Sequence, residues 1–191
     1  MRRLLIVALI VLAACAREGN VRILSPDELP QDLYASPSPM PTAAPARDVL
    51  VWFVRDDRLV PVVRKATGSG TAIEFALRAL LEGPTRAEAE DGLTSTIPDG
   101  AELLEVEVED PVATVNLSRE FELGAEQDVL LLRLGQVVYT ATELSSVGRV
   151  RFRIDSEPAG VVGQDGATHE EVGRGDYVGL VDRRPSPSPV S

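Results

Sequence analysis

Several side chains in this chain are of types that could do chemistry, and their spacing limits which chemistry. Cys15 is the only cysteine and His169 the only histidine, so a tetrahedral zinc site of cysteines and histidines cannot be assembled. A Cys-His nucleophile pair would have to use both. His169 stands beside Glu170 and Glu171 with Asp165 nearby, where a carboxylate could orient the ring as a base, but its polar loop reads as solvated. Ser69 lies between Gly68 and Gly70 without the GxSxG spacing of a nucleophile elbow. The same glycines precede a helix, yet neither a P-loop lysine nor a GxGxxG spacing is present to hold phosphate. The carboxylate pairs Glu88/Asp91 and Glu105/Glu107 would suit a glycosidase only if their surroundings drove the two pKa values apart. Strand alternation and a helix surface explain them more simply. The residues therefore point to no catalytic centre, no metal and no cofactor.

Cys15 has a different chemistry available. Met1-Arg2-Arg3 is a positive n-region, and Leu4 to Leu12 is an apolar stretch too short to remain as a bilayer-spanning helix. Leu12-Ala13-Ala14-Cys15 resembles the bacterial lipobox, which implies cleavage after a leader of residues 1–14 and transfer of a diacylglycerol to the Cys15 thiol. Two or more acyl chains, at about 0.8 kcal/mol per buried CH₂, would hold the protein to the outer face of the cytoplasmic membrane. The same residues also admit an ordinary secretory leader or an uncleaved anchor.

Residues 15–47 are rich in Pro and Ser and too poor in apolar surface to fold, so they read as a tether. Residues 183–191 have the same composition and read as a tail. Between them, residues 48–182 have the length of one domain with a core. The formal net charge is −11 and becomes two charges more negative if Arg2 and Arg3 leave with the leader. Such a surface argues against nucleic acid as a partner and offers anionic lipid no broad attraction.

The elements of the domain follow from periodicity. Val49 to Val54 and Leu59 to Arg64 read as strands joined at Arg55-Asp56-Asp57-Arg58, with Pro61 placing the second strand at an edge. Ile73, Ala76, Leu77, Leu80 and Leu81 form the apolar stripe of a helix that Thr71 and Glu74 cap. Thr85 with Glu88 starts a short second turn. Ala101 to Glu109 and Val112 to Leu117 read as a hairpin joined at Asp110-Pro111, in which Leu104, Val106 and Val108 on an apolar face alternate with Leu103, Glu105, Glu107 and Glu109 on an acidic one. A helix from about Glu126 to Leu144 carries Leu130, Leu134, Val137, Val138 and Ala141 on one stripe, which Leu131 and Leu132 widen, so it should be largely buried against the sheet. In the strand Arg149 to Asp155, Val150, Phe152 and Ile154 face the core, and Arg149, Arg151 and Arg153 face away. A final short strand is expected around Tyr177 to Val181. The fold class is α+β: one two-layer domain, a small mixed β-sheet with two main helices packed on one face.

The run Leu80-Leu81-Glu82-Gly83-Pro84-Thr85, then Gly92-Leu93-Thr94, then Ile97-Pro98-Asp99-Gly100 resembles the signature of the GerMN domain of bacterial envelope lipoproteins, the sporulation and spore germination type. Segments around Thr114 to Ser118, Leu132 to Thr140 and Val147 to Asp155 extend the similarity over roughly residues 49–155. The signature residues Gly83, Pro84, Thr85, Gly92, Leu93, Pro98, Gly100 and Asn116 are expected to be structural, and Asn116 stands where the family pattern leads one to expect aspartate. The resemblance implies a noncatalytic module that binds an envelope component, a protein or a cell-wall polymer, or helps assemble one. It also implies that the domain is not confined to spore-formers. Capture of a small molecule or polymer, and an envelope hydrolase using carboxylates, are the other functional classes.

If the Glu and Arg rows share the open face of the sheet, opposed charges on neighbouring strands would each contribute about 0.2–1 kcal/mol. Arg149, Arg151 and Arg153 are then either a salt-bridged solvent face or a site for an anionic polymer or partner.

Overall fold

The computed structural model describes residues 47–67, 70–124 and 126–181, and the expected leader, lipidation site and tail lie outside them. Strands β1 (Arg47–Arg55) and β2 (Arg58–Ala66) form an antiparallel hairpin. Asp56 and Asp57 take φ values of 50° and 57°, the left-handed pair that a two-residue hairpin turn requires. Helix α1 (Ala72–Leu81) follows, with the expected capping box: the Glu74 N–H donates to Thr71 Oγ1 at 3.3 Å, and the Thr71 N–H to Glu74 Oε2 at 2.9 Å. Gly83, at φ 81°, turns the chain out of the helix into the short α2 (Arg86–Glu90).

Strands β3 (Leu103–Glu109) and β4 (Val112–Leu117) are antiparallel, and helix α3 (Gln127–Ala141) leads to β5 (Arg149–Ile154), which runs parallel to β4. Two short strands, β6 (Glu157–Ala159) and β9 (Glu171–Val172), pair with β5. Between them β7 (Val161–Val162) and β8 (Thr168–His169) pair with each other. The fold is α+β, in the order strand, strand, helix, strand, strand, helix, strand that periodicity predicts.

The sheet departs from the expected single mixed sheet. β1 and β2 form their own ladder, separate from the five strands β3, β4, β5, β6 and β9. The reason lies at the outer edge of β1. The Trp52 N–H donates to Thr140 Oγ1 at 3.0 Å, and the Trp52 carbonyl accepts from Gln136 Nε2 at 3.1 Å, both from α3. The Val54 N–H and C=O exchange bonds with the Thr94 backbone at 2.9 and 2.8 Å. A helix and a loop thus satisfy an edge that would otherwise recruit a strand. The same geometry accommodates Pro61. It lies opposite Trp52, whose backbone groups point away from β2, so the ladder needs no N–H from Pro61.

The core lies between these layers. Ile73, Ala76, Leu77 and Leu80 of α1 are buried, as the stripe predicts. In α3 burial goes beyond the stripe: every residue from Leu132 to Ala141 is buried, including Arg133, Gln136 and Thr140. Gly135 packs closely under β2, since a Cβ there would lie 3.0 Å from Leu59 Cδ1 and 3.2 Å from Leu180 Cδ1. The expected strand at Tyr177 to Val181 is instead a 3₁₀ segment, Arg174–Leu180. Its turn drops the Tyr177 ring fully into the core, where the hydroxyl donates to the Val162 carbonyl at 2.9 Å, an inward reach that an alternating surface strand would not supply.

Replacing Gln136 by Leu keeps the bulk but strands the Trp52 carbonyl and the Thr96 N–H. At about 1–3 kcal/mol for each of these two unsatisfied groups, Gln136→Leu should lower stability by about 2–6 kcal/mol in urea denaturation. A loss below about 0.5 kcal/mol would show that this amide does not hold β1 in place.

Candidate functional site

The ladder β3–β4–β5 aligns side chains across the sheet: Glu105 with Asn116 and Arg153, Glu107 with Thr114 and Arg151, Glu109 with Val112 and Arg149. The acidic and basic rows share a face, but β4 stands between them. Next-nearest strands lie about 9–10 Å apart. The expected Glu–Arg pairing across neighbouring strands is therefore replaced. Arg149 and Arg151 both turn to Glu171 of β9, Arg149 Nε lying 3.5 Å from Glu171 Oε2 and Arg151 bonding Glu171 Oε1. Arg149 also donates to the Glu171 carbonyl. Arg153 donates to the Ser156 carbonyl from Nε at 2.9 Å and Nη2 at 2.6 Å. These arginines thus orient the C-terminal strands while their side chains stay partly open, 47% for Arg149 and 42% for Arg151. No ion pair among the described residues involves Glu105, Glu107 or Glu109.

Asn116 sits within this face yet is buried. Its Oδ1 accepts from the Ser156 N–H at 2.9 Å and its Nδ2 donates to Ser156 Oγ at 3.1 Å. Asp155 and Ser156, at φ 47° and 71°, form the left-handed turn between β5 and β6, and Asn116 pins it. An aspartate could accept from the same N–H and from the hydroxyl. The amide makes both bonds without burying a charge.

The loops after α1 carry the residues of the resemblance. Gly83 and Gly92 occupy left-handed positions at φ 81° and 83°, and Gly100 at 88°. Pro84 follows the first of these, and Thr85 caps α2 with Glu88. Arg64 of β2 clamps this corner: its Nε donates to Glu88 Oε1 at 3.0 Å and its Nη2 to the Gly83 carbonyl at 3.2 Å, with the guanidinium 5.2 Å from the Phe53 ring. Leu93 and Ile97 are buried, and Pro98 leads into the Gly100 turn.

The family model named Germane, described as sporulation and spore germination, matches residues 46–160. The chain belongs to the Germane family. The tandem GerMN domains of the sporulation protein GerM from Bacillus subtilis superpose with a TM-score of 0.57 at 19% identity, covering 80% of this chain and 55% of that one. The chain thus spans about half of the tandem structure. The first GerMN domain of GerM alone gives a TM-score of 0.56 at 19% identity, covering 68% of this chain and 98% of that chain. No curated protein matches the chain in sequence. At these identities the shared feature is the fold.

Periodicity missed the residue that ties this Germane fold's loops to α3. Arg133, with 2% of its surface exposed, donates from Nε to the Thr96 carbonyl at 2.9 Å and from Nη1 to the carbonyls of Phe121 and Leu123 at 2.5 and 3.1 Å. Burial pulls its pKa below the ordinary arginine value. Gln136, one turn on, accepts from the Thr96 N–H and hydroxyl at 2.9 and 2.8 Å. The available signal was three polar residues at helical spacing, Arg133, Gln136 and Thr140, within an otherwise apolar stretch of helix.

The remaining chemical candidates have local roles. His169 Nε2 meets the Asp165 carboxylate at 3.1 Å, and the Ala167 N–H, followed by His169, lowers the Asp165 pKa. Arg174, the first residue of an Arg-Gly-Asp run, lies over the Trp52 and Tyr139 rings at 5.7 and 4.9 Å and bonds Glu143 and Thr142. Asp176 accepts from the Gly173 N–H at 2.7 Å, so the tripeptide is bound into the domain. No cluster of three or more His, Cys, Asp or Glu among the described residues could hold a metal. An apolar cavity of about 290 Å³ opens between Phe121, Leu134, Phe152, Ile154 and Val161.

Glu88 supplies a pH signature. Desolvation opposes its charge, but Arg64 and the Thr85 N–H and hydroxyl outweigh it and hold the carboxyl below its usual value. A carboxyl lowered in the fold contributes stability that is complete above its unfolded pKa, about 4.3, and is lost as pH falls through the folded value. Thermal melts from pH 6 to pH 3 should therefore show a smaller loss in Glu88→Gln than in the wild type. Parallel profiles would show that the Arg64–Glu88–Thr85 corner does not carry the acid dependence.

Proposed function

We propose that this Germane protein is a lipid-anchored, extracytoplasmic binding and assembly module of the cell envelope without catalytic chemistry of its own. The observation that carries the reading is the two-signed face of β3, β4 and β5. Its acidic row is exposed and unpaired among the described residues, and its basic row is held in position by Glu171 and Ser156. Groups fixed in place lose little entropy on meeting a partner, which favours recognition. The lipobox-like Leu12-Ala13-Ala14-Cys15 supports anchoring, and the Pro/Ser-rich residues 15–47 would hold the domain away from the membrane. Among the described residues no helix is long and apolar enough to cross a membrane.

A second reading, capture of a small apolar molecule, draws on the cavity at Phe121 and Phe152, whose volume lies at the lower end for ligand sites. A crosslinking pull-down of the full-length protein in its native host separates the readings. Recovery of an envelope protein, lost when Arg149, Arg151 and Arg153 become Gln or when Glu105, Glu107 and Glu109 become Gln, is the expected result. Cell-wall polymer or lipid without protein would replace assembly by ligand binding. Turnover of cell-wall fragments, abolished in Glu105→Gln/Glu107→Gln, would replace both by a hydrolase. Metabolic labelling with a fatty-acid analogue should mark the wild type and not Cys15→Ala, and label persisting in the variant would remove the anchor from the proposal.

A further inference from the structure

β3 is the outer strand of its sheet: it pairs with β4 and, among the described residues, with no other strand. The hydrogen bonds of β4 show which of its backbone groups face outward. The Pro111 carbonyl accepts from the Gly148 and Arg149 N–H groups, and the Leu117 carbonyl from Asp155, so the odd-numbered residues of this segment turn their backbone toward β5. Val112, Thr114 and Asn116 therefore face β3 and engage Glu109, Glu107 and Glu105. The N–H and C=O groups of Val106 and Val108 are left pointing away from the sheet.

The side chains along this edge alternate in kind. Glu105, Glu107 and Glu109 are exposed on one face. On the other, Val108 stays 41% exposed although Ala113 and Val115 behind it are fully buried, and Leu104, 47% exposed, lies at a bulge between Leu103 and Glu105 that ends the regular edge. An open edge with apolar side chains is a template for another strand. A second copy of this chain fits it poorly, because pairing β3 with β3 would set glutamate rows against each other.

We infer that the β3 edge takes up, by strand addition, an extended segment of a partner protein in which Lys or Arg alternates with Val, Ile or Thr. The backbone of the segment completes the bonds of Val106 and Val108, its cations lie over the glutamate row, and its apolar side chains cover Val106 and Val108. The inference rests on the binding-module reading and names the partner chemistry for it.

The test is a fluorescein-labelled peptide Thr-Lys-Val-Lys-Val-Lys-Val-Thr titrated into the full-length protein at physiological salt, beside a peptide with Glu at each Lys position. Saturable binding of the first peptide and none of the second is expected. Amide hydrogen exchange at Val106 and Val108 should slow by about tenfold or more in the complex, with Val63 unchanged. Val106→Pro removes an outward N–H that the β3–β4 ladder does not use, and should weaken the peptide by about tenfold, the scale of one net hydrogen bond. No binding of the lysine peptide, or binding that leaves exchange at Val106 and Val108 unchanged, overturns the inference and makes the glutamates a guard against edge pairing. The exchange measurement on the wild type decides the matter even if Val106→Pro does not fold. A crosslinked envelope protein that Val106→Pro still recovers would sink strand addition and leave the binding module standing. Failure of the wild type to recover any partner or polymer would remove the module reading itself.

Discussion

The fold depends on how the outer edge of β1 is satisfied. Trp52 presents a buried N–H and C=O there, and leaving either unpaired would cost on the order of 1–3 kcal/mol. Thr140 and Gln136 meet them from α3, and Gln136 reaches on to the Thr96 backbone. One turn earlier, Arg133 gathers the carbonyls of Thr96, Phe121 and Leu123. Three polar side chains on successive turns of one helix thus fix a strand edge, the signature loop and the approach to α3. The helix has little freedom to shift, since a bond lost at any of these points leaves a polar group in the interior.

The arrangement of charge follows from topology. β4 lies parallel to β5 and antiparallel to β3, so the acidic and basic rows fall on one face while remaining a strand apart. Each row is then free to find another partner. The arginines find Glu171 and Ser156, which ties the C-terminal strands to the sheet. The glutamates are left to solvent on an open edge, where like charge disfavours self-association.

In this chain the loops after α1 are held by turn chemistry and clamping. Gly83, Gly92 and Gly100 hold positive φ, Thr85 caps, and Leu93 and Ile97 bury. Arg64, outside the signature, joins Gly83 and Glu88 to the hairpin.

Much of this was legible in the sequence because it is local. Capping boxes, the Asp56-Asp57 turn, helix stripes and strand alternation depend on residues a few positions apart, and their periods are fixed by backbone geometry. The signature spacing carried the family for the same reason. Tertiary structure alone decided which strand separates the Glu and Arg rows, that β1 and β2 stand apart from the larger sheet, and that Tyr177 enters the core from a 3₁₀ turn. It also decided the roles of Arg133, Gln136 and Arg174, whose hydrogen-bond partners lie from 10 to 84 residues away in the chain. No periodic pattern encodes such a partner, because a buried polar side chain is accepted only where distant backbone groups converge to meet it.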